Sequence, residues 1–163
     1  MGWNEEQISV LDGGFPKFSQ EFPQWIDKSP LTEADLETNI PSSEKDLMES
    51  FTMRTTMLRK MEQIEKNLKS QDELVLDARP AARFHGQAPE PRAGISSGHM
   101  PHSVSLPFTE VLVDGSMRSP SEIEQLLAKR GIDITSSGQP LICSCGSGVS
   151  AAVLDLALSS AGT

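Results

Sequence analysis

The run Leu141-Ile142-Cys143-Ser144-Cys145-Gly146-Ser147-Gly148-Val149-Ser150-Ala151 constrains the fold more than any other stretch of the chain. A short apolar segment, expected as a strand over 139–144, breaks into a glycine-spaced loop that opens into an Ala/Leu-rich helix from Val149 to about Ser160. Val149, Val153, Leu156 and Ala157 are expected on the helix face toward a sheet. Such a loop places Cys145 where successive backbone N–H groups and the positive end of the helix converge, which favours the thiolate. Gly146 and Gly148 keep side chains clear, so the amides of Gly146, Ser147, Gly148, Val149 and Ser150 form a cradle for an anion or a persulfide.

The rest of the chain supplies partners for that unit. Leu58, Met61, Ile64 and Leu68 recur at helical spacing and predict a helix from about Thr56 to Lys69. Leu74-Val75-Leu76 reads as a buried strand whose C-terminal end delivers Asp77 and Arg79, where open α/β sheets carry ligand residues. Val104-Ser105-Leu106 is the next candidate strand. Ser119-Pro120-Ser121-Glu122 is a capping box, followed by the apolar stripe Ile123, Leu126 and Leu127 and a stop at Gly131. This alternation predicts an α/β fold: a mainly parallel sheet flanked by helices. Nearer the start, Ile8-Ser9-Val10-Leu11 is a strand-like run ending in the Gly13-Gly14 turn. Ser19 to about Lys45 is polar, acidic and punctuated by Pro23, Pro30 and Pro41, as in a linker, with Phe22 and Trp25 expected as packing anchors in preference to a partner-binding role.

A formal net charge of −9 over 163 residues argues against nucleic-acid or anionic-membrane partners, which need a basic patch. Positive charge is therefore local, and three of the fourteen basic residues are Arg79, Arg83 and Arg92. No apolar run approaches the ~18–20 residues of a membrane span. Two cysteines at i and i+2 cannot build a disulfide framework, which fits a reducing compartment. His85, His99 and His102 with Cys143 lack zinc spacing, so no metal site is expected.

Four segments follow in one order: Asp77-Ala78-Arg79-Pro80-Ala81-Ala82-Arg83-Phe84-His85-Gly86, then Pro89-Glu90-Pro91-Arg92, then Gly98-His99-Met100-Pro101, then the Cys145 loop. Together they resemble the catalytic, C-terminal rhodanese domain of the 3-mercaptopyruvate/thiosulfate sulfurtransferases, from about Glu49 onward. The resemblance implies a rhodanese-like five-stranded sheet in the order 1-5-4-2-3. It also implies that residues 1–18 are the last strand of a preceding rhodanese domain, 19–48 a linker, and 49–163 a catalytic domain lacking its own last strand. On that basis Ile8 to Asp12 is expected to lie beside Leu141-Ile142-Cys143 and fill the open place in the sheet.

The chemistry implied is transfer of sulfane sulfur from a small-molecule donor, 3-mercaptopyruvate or thiosulfate, through a persulfide on Cys145. Arg83 and Arg92 match the arginines that hold the substrate carboxylate and keto oxygen, a task suited to a planar guanidinium fork. Asp77 and Arg79 match an Asp-x-Arg pair with a structural supporting role. Ser147 either relays a proton to the leaving enolate or caps the turn; Cys143 is either a core residue or a resolving thiol. No cofactor is implied beyond the persulfide. Thioredoxin, glutathione, cyanide and a sulfur-relay protein all remain open as acceptors, and mitochondrion and cytoplasm as locations. A thiol phosphatase is excluded, because Ala151 stands where its loop needs arginine. A non-catalytic rhodanese-like interaction module is the competing class.

Overall fold

The structure is a computed structural model that describes residues 9–30, 32, 57–134 and 138–162. The chain divides into two compact units, Met1–Leu58 and Arg59–Thr163. In the first, Gly14 donates its N–H to the Leu11 carbonyl at 2.9 Å and opens helix α1, Gly14–Glu21, followed by a 3-10 turn over Pro23–Trp25. The strand predicted at Ile8–Leu11 does not form: Ser9, Val10 and Leu11 belong to no strand, Val10 and Leu11 are exposed, and Ile8 lies outside the described residues. Phe22 and Trp25 are also exposed, and the short α1 buries none of its own residues. Most of the predicted linker, including Pro41, falls outside the described residues, as does Glu49.

The second unit begins with helix α2, Met61–Ser70. It starts five residues later than its apolar spacing predicts, and Thr56 itself lies outside the described residues. Arg59 is drawn instead into a two-oxygen ion pair with Glu73 (2.9, 3.0 and 2.5 Å), and the Lys60 N–H is taken by the Gln63 side chain at 2.8 Å, which sets the first turn at Met61. Asn67 closes the other end, donating to the Glu73 carbonyl at 2.7 Å and accepting the Glu73 N–H at 2.9 Å.

Strand β1, Leu74–Asp77, is followed by the short helix α3, Ala81–Phe84, and strand β2, Val104–Ser105. A 3-10 turn over Phe108–Val111 leads into a hairpin of β3, Leu112–Val113, and β4, Ser116–Met117. Asp114 and Gly115 both have positive φ (50° and 80°), the geometry a two-residue hairpin turn demands. Helix α4, Pro120–Ala128, then strand β5, Leu141–Ser144, and helix α5, Val149–Ser160, complete the unit. The capping box forms as predicted: Ser119 donates its N–H and its hydroxyl to the Glu122 carboxylate at 2.9 and 2.7 Å.

The main sheet is parallel, in the order β2-β1-β5 among the described residues. Leu76 pairs with Val104 on one side and Cys143 on the other, and Asp77 with Ser105 and Ser144. This corresponds to the 4-2-3 portion of the expected order; β5 pairs only with β1 among the described residues, and residues 9–12 form no strand. Leu76, Leu106, Val111, Ile123, Leu127, Leu154, Ala157 and Leu158 form one core between the sheet, α4, α5 and the 3-10 turn. Each fully buried Val, Leu or Ile side chain there contributes roughly 1.5–3 kcal/mol. Helix α5 buries Leu154, Ala157 and Leu158, so the predicted stripe holds only in part: Ala157 is buried and Val153 partly buried against the core, while Val149 is 71% and Leu156 41% exposed. The helix is apolar nearly all round, so periodicity could not choose its buried face, and packing did.

Candidate active site

The C-terminal ends of β1 and β5 lie side by side, which brings Asp77 and the Cys145 loop together as parallel α/β sheets characteristically do. The Ala78 N–H donates to the Ser144 carbonyl at 2.8 Å and ties the two strand ends at that point. Past Ser144 the chain turns at once. Gly148 takes φ 94°, a left-handed conformation at the N-cap of α5, and its N–H donates to the Cys145 sulfur at 2.9 Å. Partial burial pushes the Cys145 thiol up, but the backbone N–H groups of Ala151, Ser147, Gly148 and Ser150 outweigh it, and the thiol sits below its ordinary value.

Cys143, two residues earlier, lies in the opposite environment. Burial, with Asp155 nearby, pushes its thiol up to about 12, and it packs against the core. A neutral buried thiol suits the core reading and not the resolving one. The pair predicts a selective alkylation: iodoacetamide at neutral pH modifies Cys145 and leaves Cys143 untouched in the folded protein. Because the Cys145 value is depressed, its rate against pH should reach half-maximum below that of a free cysteine. Equal labelling of the two residues, read by peptide mass, would contradict the amide cradle.

Beside the loop stands a chain of four charges. Asp77 accepts three bonds from the Arg79 guanidinium, from Nε at 3.0 Å to each oxygen and from Nη2 at 2.6 Å, and a fourth from the Arg79 backbone N–H at 2.9 Å. Arg79 reaches onward, donating from Nη1 to Glu90 at 2.8 Å and from Nη2 to the Gly98 carbonyl at 2.7 Å. Glu90 in turn accepts from Arg83, from Nε at 3.2 Å and from Nη2 to its other oxygen. Hydrogen bonds from Arg83, against the opposing effect of burial, hold the Glu90 carboxyl below its usual range; its ionised form is the one present at neutral pH. Arg83 lies over the loop: a Cβ added at Gly146 would come within 3.0 Å of Arg83 Nη2. Glycine at 146 thus leaves room for the close approach of Arg83, and its φ is not in the left-handed region.

Of the residues singled out in the sequence, Cys145, Gly146, Ser147, Gly148, Val149 and Ser150 form the loop and the first turn of α5, and Arg83, Arg79 and Asp77 gather next to it. Arg92 is exposed and joins no ion pair among the described residues. Ser147 is exposed and Gly148, not Ser147, occupies the N-cap. His99 stacks on Phe84 at 4.0 Å with its Nδ1 2.9 Å from the Phe84 carbonyl, and the His102 ring lies 3.2 Å from the Gln71 amide, so both make structural contacts. Among the described residues no group of His, Cys, Asp and Glu gathers as metal ligands. Glu90 was not singled out from the sequence; a lone acid between two prolines, flanked by arginine segments, was the available signal.

Residues 60–163 match the rhodanese-like domain. The chain belongs to the rhodanese-like domain family. This rhodanese domain is similar to the 3-mercaptopyruvate sulfurtransferase of Rattus norvegicus, 38% identical over 151 residues that cover 91% of the chain and 46% of that protein. It is also similar to the thiosulfate sulfurtransferase of Bos taurus, 34% identical over 152 residues, covering 92% of the chain and 46% of that protein. The chain therefore spans about half the length of these curated relatives. Among solved structures, the sulfur transferase subunit described as sub-stoichiometric in yeast mitochondrial complex I superposes with a TM-score of 0.61 at 39% identity, over 69% of this chain and 39% of that one.

Proposed function

We propose that this rhodanese domain is a sulfurtransferase that carries sulfane sulfur on Cys145, from 3-mercaptopyruvate or thiosulfate to a thiol acceptor or cyanide. The observation that carries it is a cysteine held below its ordinary pKa by four backbone amides with a guanidinium beside it, in a chain similar to sulfurtransferases named for both donors. The Cys145 thiolate attacks the sulfur of mercaptopyruvate; an S–S bond forms, the C–S bond breaks, and its electron pair leaves with the pyruvate enolate, which then takes a proton. The loop amides hold the resulting persulfide. An acceptor thiolate next attacks the outer sulfur and restores the Cys145 thiolate, so no redox cofactor or metal enters the cycle. Ser147, exposed at the loop, is the group assigned to relay the proton to the enolate.

Arg83 and Arg92 are assigned to the donor's carboxylate and keto oxygen. Arg83→Ala should raise the half-saturating mercaptopyruvate concentration about tenfold with a smaller change in kcat, because a charge-assisted contact to the unreacting end of the substrate is lost. Steady-state kinetics with cyanide as acceptor measures it; an unchanged KM removes Arg83 from the substrate site. In this reading residues 49–163 are the catalytic unit, 19–48 link it to a preceding rhodanese domain, and residues 1–18 belong to that domain's end. The acceptor is a small thiol, thioredoxin or a sulfur-relay protein, in the mitochondrion or cytoplasm; the yeast relative's description as a complex I subunit supports a protein partner. Failure of the folded chain to take up sulfur on Cys145 would leave the non-catalytic module as the function.

A further inference from the structure

We propose that Glu90 is the positioning residue for the donor-facing guanidinium: it clamps Arg83 over the cysteine loop and thereby sets where an anionic sulfur donor meets the nucleophile. The inference rests on the sulfur-donor reading of the site and adds to it a residue and a physical role.

The Glu90 side chain is only 3% exposed, less than the 20% of the Arg83 it holds. Both of its oxygens are engaged by Arg83, one at Nε (3.2 Å) and one at Nη2, while Arg79 Nη1 holds it from behind at 2.8 Å. Arg79 is fixed in its turn by Asp77 and the Gly98 carbonyl, and Asp77 stands at the end of β1, whose partner strand leads into Cys145. A continuous run of hydrogen bonds thus connects the sheet to Arg83. The Arg83 Nη2 group lies against Gly146, next in sequence to the nucleophile.

The bonding leaves Arg83 usable. A guanidinium has five N–H donors; Glu90 takes one from Nε and one from Nη2, so both hydrogens of Nη1 and the second of Nη2 remain for an incoming anion. Charge alone does not make this an anion site, because the two guanidinium groups of Arg79 and Arg83 are balanced by the carboxylates of Asp77 and Glu90. Fixed donors, rather than an excess of positive charge, must do the recognising. Positioning and charge therefore make opposite predictions for Glu90. Removal of its charge leaves the cluster net positive and strengthens anion attraction if charge governs; removal of its clamp weakens anion attraction if placement governs. Glutamine separates the two, since its amide nitrogen presents a donor to a guanidinium donor and cannot complete the two-oxygen clamp.

The experiment compares alkylation of Cys145 by anionic iodoacetate and neutral iodoacetamide in the full chain, wild type, Glu90→Gln and Glu90→Asp. Positioning predicts that the iodoacetate-to-iodoacetamide rate ratio falls about fivefold in Glu90→Gln, and falls as well in Glu90→Asp, where the charge is kept and the reach shortened. The iodoacetamide rate, which reports the thiolate cradle, should stay within about twofold, and the mercaptopyruvate KM should rise more than kcat falls. A ratio that rises or stays level in Glu90→Gln overturns the proposal, as does a collapse of the iodoacetamide rate, which would make Glu90 a support of the loop itself. Should Glu90→Gln fail to fold, Glu90→Asp decides by the same ratio. Alkylation needs no sulfur transfer, so failure of this inference is distinct from failure of the functional reading, which shows as no sulfur on Cys145.

Discussion

Cys145→Ser is expected to take up no sulfur. Incubated with mercaptopyruvate, the unsubstituted chain should gain ~32 Da on the peptide holding Cys145 and lose it to a dithiol, as a persulfide does. The variant should gain nothing, and turnover should fall by at least about 10³-fold, because a hydroxyl neither ionises in the loop nor forms a stable bond to sulfane sulfur. Cys143 is not expected to substitute: burial pushes its thiol up to about 12, so it is neutral near pH ~7, and it packs against the core. Intact-mass and peptide mapping decide the matter. Sulfur on Cys143, or full activity in Cys145→Ser, would end the assignment of the nucleophile.

Leu76→Ala is expected to cost the domain ~2–5 kcal/mol of stability, a large part of the ~5–15 kcal/mol a domain of this kind holds. Leu76 is fully buried in the middle strand of the parallel sheet, paired with Val104 and Cys143, so the truncation leaves a cavity at the centre with neighbours on both sides. The effect reaches the site, since the next residue is Asp77, from which the charge chain to Arg83 starts. Val113→Ala, at a hairpin position 44% exposed, serves as the control and should stay within ~0.5 kcal/mol. Denaturant midpoints, with slopes compared, measure both; a loss under ~1 kcal/mol at Leu76 would mean that β1 is not the strand on which the core is built.

Legibility along the chain tracks how local each signal is. Helix α5 from Val149 to Ser160, strand β1 through Leu76 and the capping box at Ser119 follow from consecutive residues and stand where they were predicted. Helix α2 was legible as a helix but not in its start, because Arg59 answers to Glu73, fourteen residues away. The Asp114-Gly115 hairpin was readable from its turn dipeptide and passed over. Ser9–Leu11 shows the opposite failure: a β-like composition forms no strand there, and the turn at Asp12–Gly13 starts α1 instead.

What the amino-acid order by itself determined is the strand, loop and helix around Cys145, because amide direction and helix polarity are properties of neighbouring peptide groups. Only the tertiary structure decided that Glu90 joins Arg79 to Arg83 and that the pair lies against Gly146. It also put Leu154 and Leu158, rather than Val149 and Leu156, beside Ala157 on the buried face of α5. Those outcomes depend on which strand lies beside which, and parallel pairing of β1 with β5 joins segments more than sixty residues apart, a relation that no periodicity within either segment contains.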